Sequence, residues 1–332
     1  MSEPGITGRI ESDALNSPSG RRLWPGPLED FPQQTVKQSR SARRWWLHSL
    51  LFLLTLATTT VFGFAQVQSF RSDRALQIDL IADGYVRLAH GDLSVLTGLH
   101  FSIPLMLILL AHELGHYIAC QRWKVDASLP FFLPSPTLFG ALGAFIKIRS
   151  PIYTRRSLFD IGVSGPLAGF VVVMPFLLAG IRISRLVPGV GAGASVVFGT
   201  PLLLHVVEWL RFPGASPSDI LLHPMAMAAW AGLLATAINL LPIGQLDGGH
   251  ILYAAFGPRS HRVLSTAFVA VLVLLGFAYW PWWIWAVIMF FFGRRHPLVY
   301  DETPLDGYRV VVSIVALLLF LLSISIVPVY AK

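Results

Sequence analysis

Charged residues are scarce in this sequence. Asp, Glu, Lys and Arg make up 13% of the 332 residues, whereas apolar residues make up 54%. A soluble globular domain carries about 25% charged residues. The shortage excludes an ordinary soluble protein and predicts an integral membrane protein, most of whose apolar surface faces the lipid bilayer.

Cysteine, basic clusters and internal repeats are also lacking. The single cysteine excludes an intramolecular disulfide. No basic run is interleaved with aromatic residues, so nothing predicts a nucleic-acid partner. We interpret the net charge of +7 as basic loops on one side of a membrane. The absence of a visible repeat argues against a transporter built from inverted repeats.

The first 44 residues are polar and rich in Ser, Pro and Gly. No apolar run begins before Trp45, which is too late for a cleavable signal peptide. We interpret residues 1–44 as a disordered tail because of this polar composition. We place the tail in the cytosol because it ends in a basic flank before the first span. Acidic residues scattered through 1–30, without an organelle-type transit sequence, predict a bacterial inner membrane with a cytosolic N-terminus.

Seven apolar segments follow, and a helix needs about 20 apolar residues to cross a bilayer. They cover residues 45–66, 99–120, 158–181, 224–241, 263–279, 281–292 and 310–329. The sixth is short, so we predict an all-α polytopic membrane protein with six or seven transmembrane helices. Its parts are the tail (1–44), a first helix with an external segment (45–98), a membrane core (99–256) and C-terminal transmembrane helices (257–332).

The connection between the second and third spans is unusual. Residues 128–150 are apolar, but prolines and glycines interrupt them, so they cannot form a spanning helix. The stretch TLFGALGAFIKI predicts a membrane-associated β-hairpin or an edge strand. Irregular backbone at that depth is stable only where it is buried in protein or lines a wet cavity.

The second span carries polar residues that lipid should exclude. The stretch ILLAHELGHYIAC contains His112, Glu113 and His116, and a charge at the bilayer centre costs at least roughly 2.5–3.5 kcal/mol. Residues four apart share a helix face, so the two imidazoles can bind one Zn²⁺. Glu113 beside them can act as a general base toward water. The structural alternative is a histidine pair packed on backbone carbonyls.

A catalytic zinc site needs a third protein ligand. Cys120 shares the helix face but lies about 12 Å along the axis from His112, so we interpret it as a small interfacial hydrophobe. Glu208, beside His205, belongs to an external connection on the far side of the membrane. Asp247 follows the fourth span in a segment broken by Pro and Gly, in the same leaflet as His112. We favour Asp247 over its alternative reading as a turn residue.

Three motifs, in this order, resemble those of the site-2 proteases, a family of intramembrane zinc metalloproteases. They are HELGH, then GVSGPLAGF at residues 162–170 on the third span, then NLLPIGQLDGG at residues 239–249. Together they cover most of residues 99–252, about half of the chain. Neither a PDZ insertion nor a C-terminal nucleotide-sensing domain is visible.

The resemblance implies that Zn²⁺ is bound by His112, His116 and Asp247, and that Glu113 is the general base. It also implies that Asn239 contacts the substrate or stabilises the transition-state oxyanion. A purely structural hydrogen bond is the alternative role for Asn239.

The resemblance further implies that the hairpin pairs with an unwound substrate by strand addition. Gly140, Gly143 and Phe145 are the candidates for that contact, with tight packing as their alternative role. His250 is not a ligand in the family pattern, and we interpret it as incidental or as lying behind the ligands.

These observations together predict a zinc-dependent metalloendopeptidase. It is expected to hydrolyse a peptide bond within or near a transmembrane segment of a membrane-protein substrate, near the cytosolic leaflet. One alternative is a catalytically silent zinc-binding membrane protein that senses or holds a partner, and the intact Glu113 argues against it. A zinc transporter is the other, and the clustering of polar residues in one leaflet argues against that.

Overall fold

Long apolar runs form most of the structure. A computed structural model describes residues 45–137, 139–292, 299–301 and 303–331, so the predicted tail lies outside the described residues. Within these ranges nine α-helices are present: α1 Trp45–Arg71, α2 Asp79–Ala89, α3 Leu99–Arg122, α4 Arg155–Ile183, α5 Leu202–Arg211, α6 Pro224–Asn239, α7 Asp247–Leu275, α8 Pro281–Phe292 and α9 Gly307–Ser323.

The strands are short and pair in twos. They are β1 Phe131–Pro134, β2 Ala141–Phe145, β3 Arg185–Leu186, β4 Val196–Phe198, β5 Ile220–Leu221 and β6 Val329–Ala331. β1 pairs with β2, β3 with β5 and β4 with β6, all antiparallel. The architecture is therefore mostly helical, and the strands join the ends of helices.

Four helices in the described residues are long and apolar enough to cross a membrane. They are Trp45–Arg71, Leu93–Arg122, Arg155–Ile183 and Asp247–Leu275, and three shorter apolar helices accompany them at Pro224–Asn239, Pro281–Phe291 and Gly307–Ser323. The prediction of a helical membrane protein is confirmed at this level. A count of six or seven spans stays a prediction, because the shorter helices have fewer than the roughly 20 residues of a straight crossing.

Small residues bring α3, α4 and α6 close together. A Cβ on Gly115 of α3 would lie 2.4 Å from the carbonyl oxygen of Ser164 on α4. A Cβ on Gly180 of α4 would likewise lie 2.4 Å from the backbone nitrogen of Ala226 on α6. Glycine at such contacts lets helix backbones approach closely. Close packing matters in a membrane because lipid is as apolar as the helix side chains and supplies no hydrophobic force between helices. These three helices therefore hold their facing side chains at fixed positions.

A break of seven residues, 240–246, separates α6 from α7. A Cβ on Gly248 would lie 2.1 Å from the carbonyl oxygen of Leu240, so only glycine fits where the turn closes. α7 itself bends at Gly257, whose φ of 83° and ψ of 177° are not helical, and Pro258 follows. The next apolar segment was predicted to begin at residue 263, whereas α7 begins at Asp247. The less apolar residues between 247 and 263 are therefore helical too.

β1 and β2 form a hairpin between α3 and α4, inside residues 128–150. Leu133 of β1 faces Gly143 of β2. The hydroxyl of Thr58 on α1 donates a hydrogen bond of 2.5 Å to the carbonyl oxygen of Gly140. A Cβ on Gly140, whose φ is 72°, would lie 2.4 Å from the Thr58 backbone. The hairpin is therefore anchored on the first helix.

Candidate metal centre

α3 presents His112 and His116 on one face, one helical turn apart. Both side chains are buried, and their Nε2 atoms lie 3.2 Å apart. The spacing of four residues produces this pair, as the sequence predicts. Glu113, between them in the sequence, is 4% exposed. The helix therefore buries three ionisable groups within about one helical turn.

The turn after α6 delivers the third polar group. Asp247 is the first residue of α7, and its Oδ2 lies 3.2 Å from Nε2 of both His112 and His116. Among the described residues this is the one group of three His, Cys, Asp or Glu side chains whose ligand atoms converge. The structure thus brings together residues 135 positions apart in the chain.

The three ligand atoms have the spacing of a tetrahedral zinc site. Zinc–nitrogen and zinc–oxygen bonds of about 2.0–2.1 Å put two tetrahedral ligands about 3.3 Å apart. The three observed distances are each 3.2 Å. Two imidazoles and one carboxylate are also ligands that zinc prefers, and three protein ligands leave one position open, as in catalytic sites. His112, His116 and Asp247 therefore fit zinc.

A backbone carbonyl of α4 fixes the tautomer of His116. Nδ1 of His116 lies 2.7 Å from the carbonyl oxygen of Ile161. A carbonyl only accepts hydrogen bonds, so Nδ1 carries a proton, and Nε2 is the ring atom that is left to bind a metal. Such a partner behind a histidine orients the ring and raises its basicity toward a metal. The donor atom that faces Asp247 is therefore ready to bind a cation.

Glu113 and Asn239 border the same centre. The backbone of Ile146, the residue that follows β2, lies near the Glu113 carboxylate. Asn239, the last residue of α6, places its side-chain nitrogen 3.2 Å from Nε2 of His112. The end of the hairpin and the end of α6 thus reach the residues of the HELGH motif.

Two glycines of α4 make room for the histidines, a role that was not predicted from the sequence. A Cβ on Gly165 would lie 2.1 Å from Nε2 of His116, and one on Gly169 would lie 3.3 Å from Nδ1 of His112. The spacing of four residues, equal to that of the histidines, was the available signal. Where two helices pack, the rows formed by residues four apart on one helix fit against the corresponding rows of the other.

The other candidates lie outside the group of ligand atoms. Cys120 is buried among the side chains of Ala119, Val125, Ala127 and Ile161, in keeping with its interpretation as a small hydrophobe. Glu208 lies on α5, in the connection between α4 and α6.

The remaining predicted residues lie around the centre. A Cβ on Gly162 of α4 would lie 2.9 Å from the Cβ of His250, which places His250 against that helix. Gly143, with a φ of 126°, has no atoms near its missing Cβ, and Phe145 is 44% exposed. Gly140 packs on α1, as described above. A direct role of these hairpin residues with substrate stays a prediction.

Comparison with known proteins gives the family. The model of Peptidase family M50 matches residues 100–280, just over half of the chain. This range contains the HELGH motif, the α4 glycines and Asp247. The chain belongs to Peptidase family M50. This membership confirms the resemblance to the site-2 proteases and, at the level of the family, the predicted metalloprotease class and its zinc.

Plant relatives cover most of this M50 chain. "Probable zinc metalloprotease EGY1, chloroplastic" from Arabidopsis thaliana is 29% identical over 307 residues, 85% of this chain and 52% of the relative. EGY2 from the same plant, with the same description, is 31% identical over 315 residues, 90% and 53%. EGY1 from Oryza sativa subsp. japonica is 29% identical over 294 residues, 85% and 50%. The chain spans about half the length of the curated relatives it matches.

The predicted location in a bacterial inner membrane is wrong. These relatives are named as chloroplastic proteins of plants, which points to a chloroplast membrane. Apolar spans and basic flanks are physically alike in bacterial and chloroplast membranes, so they could not decide between them. The acidic residues of 1–30 carried no further information.

Proposed function

We propose that this M50 chain is an intramembrane zinc metalloprotease that hydrolyses a peptide bond within or near a transmembrane segment. The observation that carries the proposal is the convergence, at 3.2 Å beside Glu113, of three ligand atoms from two buried histidines and a partly buried aspartate. Lipid would exclude these groups unless they bind something that offsets their burial. The names of the plant relatives support zinc and proteolysis as the function.

Each residue of the centre has a separate task. When bound, zinc supplies Lewis-acid activation of water and of the scissile carbonyl. His112, His116 and Asp247 hold it, and the Ile161 carbonyl orients His116. Glu113 accepts the proton of the attacking water and passes it to the leaving amine.

The amide of Asn239 lies beside His112, and we assign it the role of donor to the oxygen that gains negative charge in the transition state. This role would give Asn239 a direct part in the reaction. The alternative, a hydrogen bond that only supports the end of α6, predicts unchanged kcat in an Asn239 variant that still folds.

The hairpin is the proposed entry for substrate. A helical substrate must unwind first, because its carbonyls are already hydrogen-bonded. Gly143 leaves the surface of β2 open, and the backbone of Ile146 just beyond β2 lies near Glu113. An extended substrate paired along β2 would therefore lead toward the general base. The exposed Phe145 would contact its side chains.

The membrane arrangement is part of the same proposal. His112 lies about 20 Å along α3 from its first residue, at a rise of 1.5 Å per residue. That leaves about 10 Å of a hydrocarbon core of about 30 Å. Cleavage would occur near the face of the membrane that carries the basic connections, and we propose a chloroplast membrane as its location. The shorter helices α6, α8 and α9 complete six or seven crossings.

Cleavage by a Glu113→Gln variant tests the proposal. A single-span membrane substrate is incubated with the full chain in proteoliposomes, and zinc content is measured in parallel. We expect Glu113→Gln to keep its zinc and to lose about 10²–10⁴-fold in cleavage rate, the usual contribution of a general base. Glu208→Gln changes another buried glutamate by the same atoms and should cleave as wild type does.

Each other result contradicts the proposal. Equal cleavage by wild type and Glu113→Gln removes Glu113 from the reaction. Zinc binding without cleavage of single-span substrates by wild type indicates a silent zinc-binding protein. Zinc uptake into the proteoliposomes indicates a transporter.

A further inference from the structure

A carboxylate outside the metal centre joins three elements. Asp160 of α4 accepts hydrogen bonds from Arg309 of α9 at both oxygens, 2.8 Å from Nε and 2.7 Å from Nη2. It also accepts one of 3.0 Å from the indole nitrogen of Trp123. Bidentate pairing between arginine and a carboxylate is strong and geometrically specific. The carboxylate therefore fixes the positions of its neighbours more tightly than a single contact would.

The pair is shielded from water and held from a second side. The side chain of Arg309 is 15% exposed and that of Asp160 is 27% exposed. Arg309 also contacts Asp306, the N-cap of α9, which holds the guanidinium in place. Exposed ion pairs contribute little to stability. This pair is shielded and bidentate and has a second acceptor, so its geometry is fixed.

Both ends of this contact lead to His116. Trp123 directly follows α3, the helix that carries His112 and His116. On the other side, Ile161 is the next residue after Asp160, and its carbonyl holds Nδ1 of His116. One carboxylate thus ties the end of the ligand-bearing helix to the turn of α4 that orients the ligand.

From this arrangement we propose that Asp160 is a positioning residue for the zinc centre, held in place by Arg309 of the C-terminal helix. It keeps the Ile161 carbonyl at hydrogen-bonding distance from His116 and so keeps the Nε2 lone pair directed at the metal. The inference rests on the proposed zinc centre. It makes α9, outside the region that matches the family model, a contributor to metal affinity.

Zinc affinity of the full chain in detergent is the direct test. Competition with a chromophoric chelator is measured for wild type, Asp160→Ala, Asp160→Asn and Arg309→Gln. Loss of a residue behind a metal ligand weakens metal binding about 10–100-fold, and we expect at least about 10-fold for Asp160→Ala and Arg309→Gln. Asp160→Asn keeps an acceptor for Trp123, so its loss should be smaller.

A matched control separates positioning from general stability. Arg87 on α2 pairs with Asp83 at 2.7 Å and with Asp92 at 3.0 Å. These side chains are exposed and lie far from Asp160 in the sequence. Arg87→Gln should leave zinc affinity unchanged. The visible spectrum of the cobalt(II)-substituted protein reports ligand geometry, and it should change in Asp160→Ala and stay as in wild type for Arg87→Gln.

The outcomes are distinguishable. Folded Asp160→Ala and Arg309→Gln proteins with wild-type zinc affinity and cobalt spectrum would overturn the inference alone. A wild-type chain that binds no zinc would instead overturn the proposed function. If Arg309→Gln does not fold, Arg309→Lys decides on the same criterion, because it keeps the charge and loses the bidentate geometry.

Discussion

At the scale of single residues, Gly165 shows how little space the metal centre leaves. A Cβ there would lie 2.1 Å from Nε2 of His116 and 2.5 Å from its Cδ2 and Cε1 atoms. The ring cannot turn away without losing the hydrogen bond to the Ile161 carbonyl. We therefore expect Gly165→Ala to lower zinc affinity at least about 10-fold, the loss typical of a disturbed ligand orientation.

Gly169→Ala is the control for this prediction. Its Cβ would lie 3.3 Å from Cβ and Nδ1 of His112, a contact that a small shift relieves. Zinc retained after dialysis against a competing chelator should fall in Gly165→Ala and change little in Gly169→Ala. Equal retention by the two variants would show that the glycine contact does not control the ligand.

At the scale of elements, α5 carries a buried acid on its packed face. Glu208 is 4% exposed, and its Oε2 has no hydrogen-bond partner among the described residues. Burial raises the pKa of Glu208 from its ordinary value of 4.5 to about 7. The charged form is therefore less stable in the folded protein than in the unfolded chain.

This raised pKa makes stability depend on pH. Well below pH 4.5 the carboxyl group is protonated in both the folded and the unfolded state, so it does not lower the folding stability. As the pH rises from 4.5 to about 7, the unfolded chain loses the proton first, so folding stability falls, and above about 7 the loss is complete. The shift corresponds to about 3 kcal/mol as an upper value. We expect wild type to have a higher Tm at pH 5 than at pH 8.

Glu208→Gln should remove this part of the pH dependence. The amide cannot ionise, so the variant should exceed wild type in Tm at pH 8 and differ little at pH 5. Thermal unfolding in detergent at the two pH values measures both effects. A Tm difference between pH 5 and pH 8 that is the same in wild type and Glu208→Gln would contradict the assignment.

The elements show which parts of the structure the sequence could predict. The HELGH spacing places two imidazoles on one helix face by local geometry alone, and the Pro and Gly residues around Asp247 mark where the helix breaks. The role of Gly165 depends on which residue of α3 packs against it. The Asp160–Arg309 pair joins residues 149 positions apart, and no local pattern signals such a contact. The kink of α7 at Gly257, by contrast, has a local signal in the sequence, because Pro258 follows a glycine.

At the scale of the whole molecule, the metal centre links distant parts of the chain. His112 and His116 come from α3, whereas Asp247 comes from α7. Without a cation, two buried imidazoles and a partly buried carboxylate remain at 3.2 Å from one another. A metal that binds the folded state and not the unfolded chain stabilises by mass action, about 2.7 kcal/mol at 100 times the dissociation constant.

We therefore expect chelation to lower the Tm of the full chain and to abolish cleavage, with both restored by added zinc. Glu113→Gln should show the same chelator-dependent fall in Tm, because it keeps all three ligands, yet should remain inactive after zinc is returned. His116→Ala should show little chelator dependence, because one ligand is missing. A wild-type Tm that changes neither with chelation nor with added zinc would contradict this prediction. It would mean that packing alone holds α3 and α7 together, and that the ligands contribute to the chemistry but not to the stability of the folded chain.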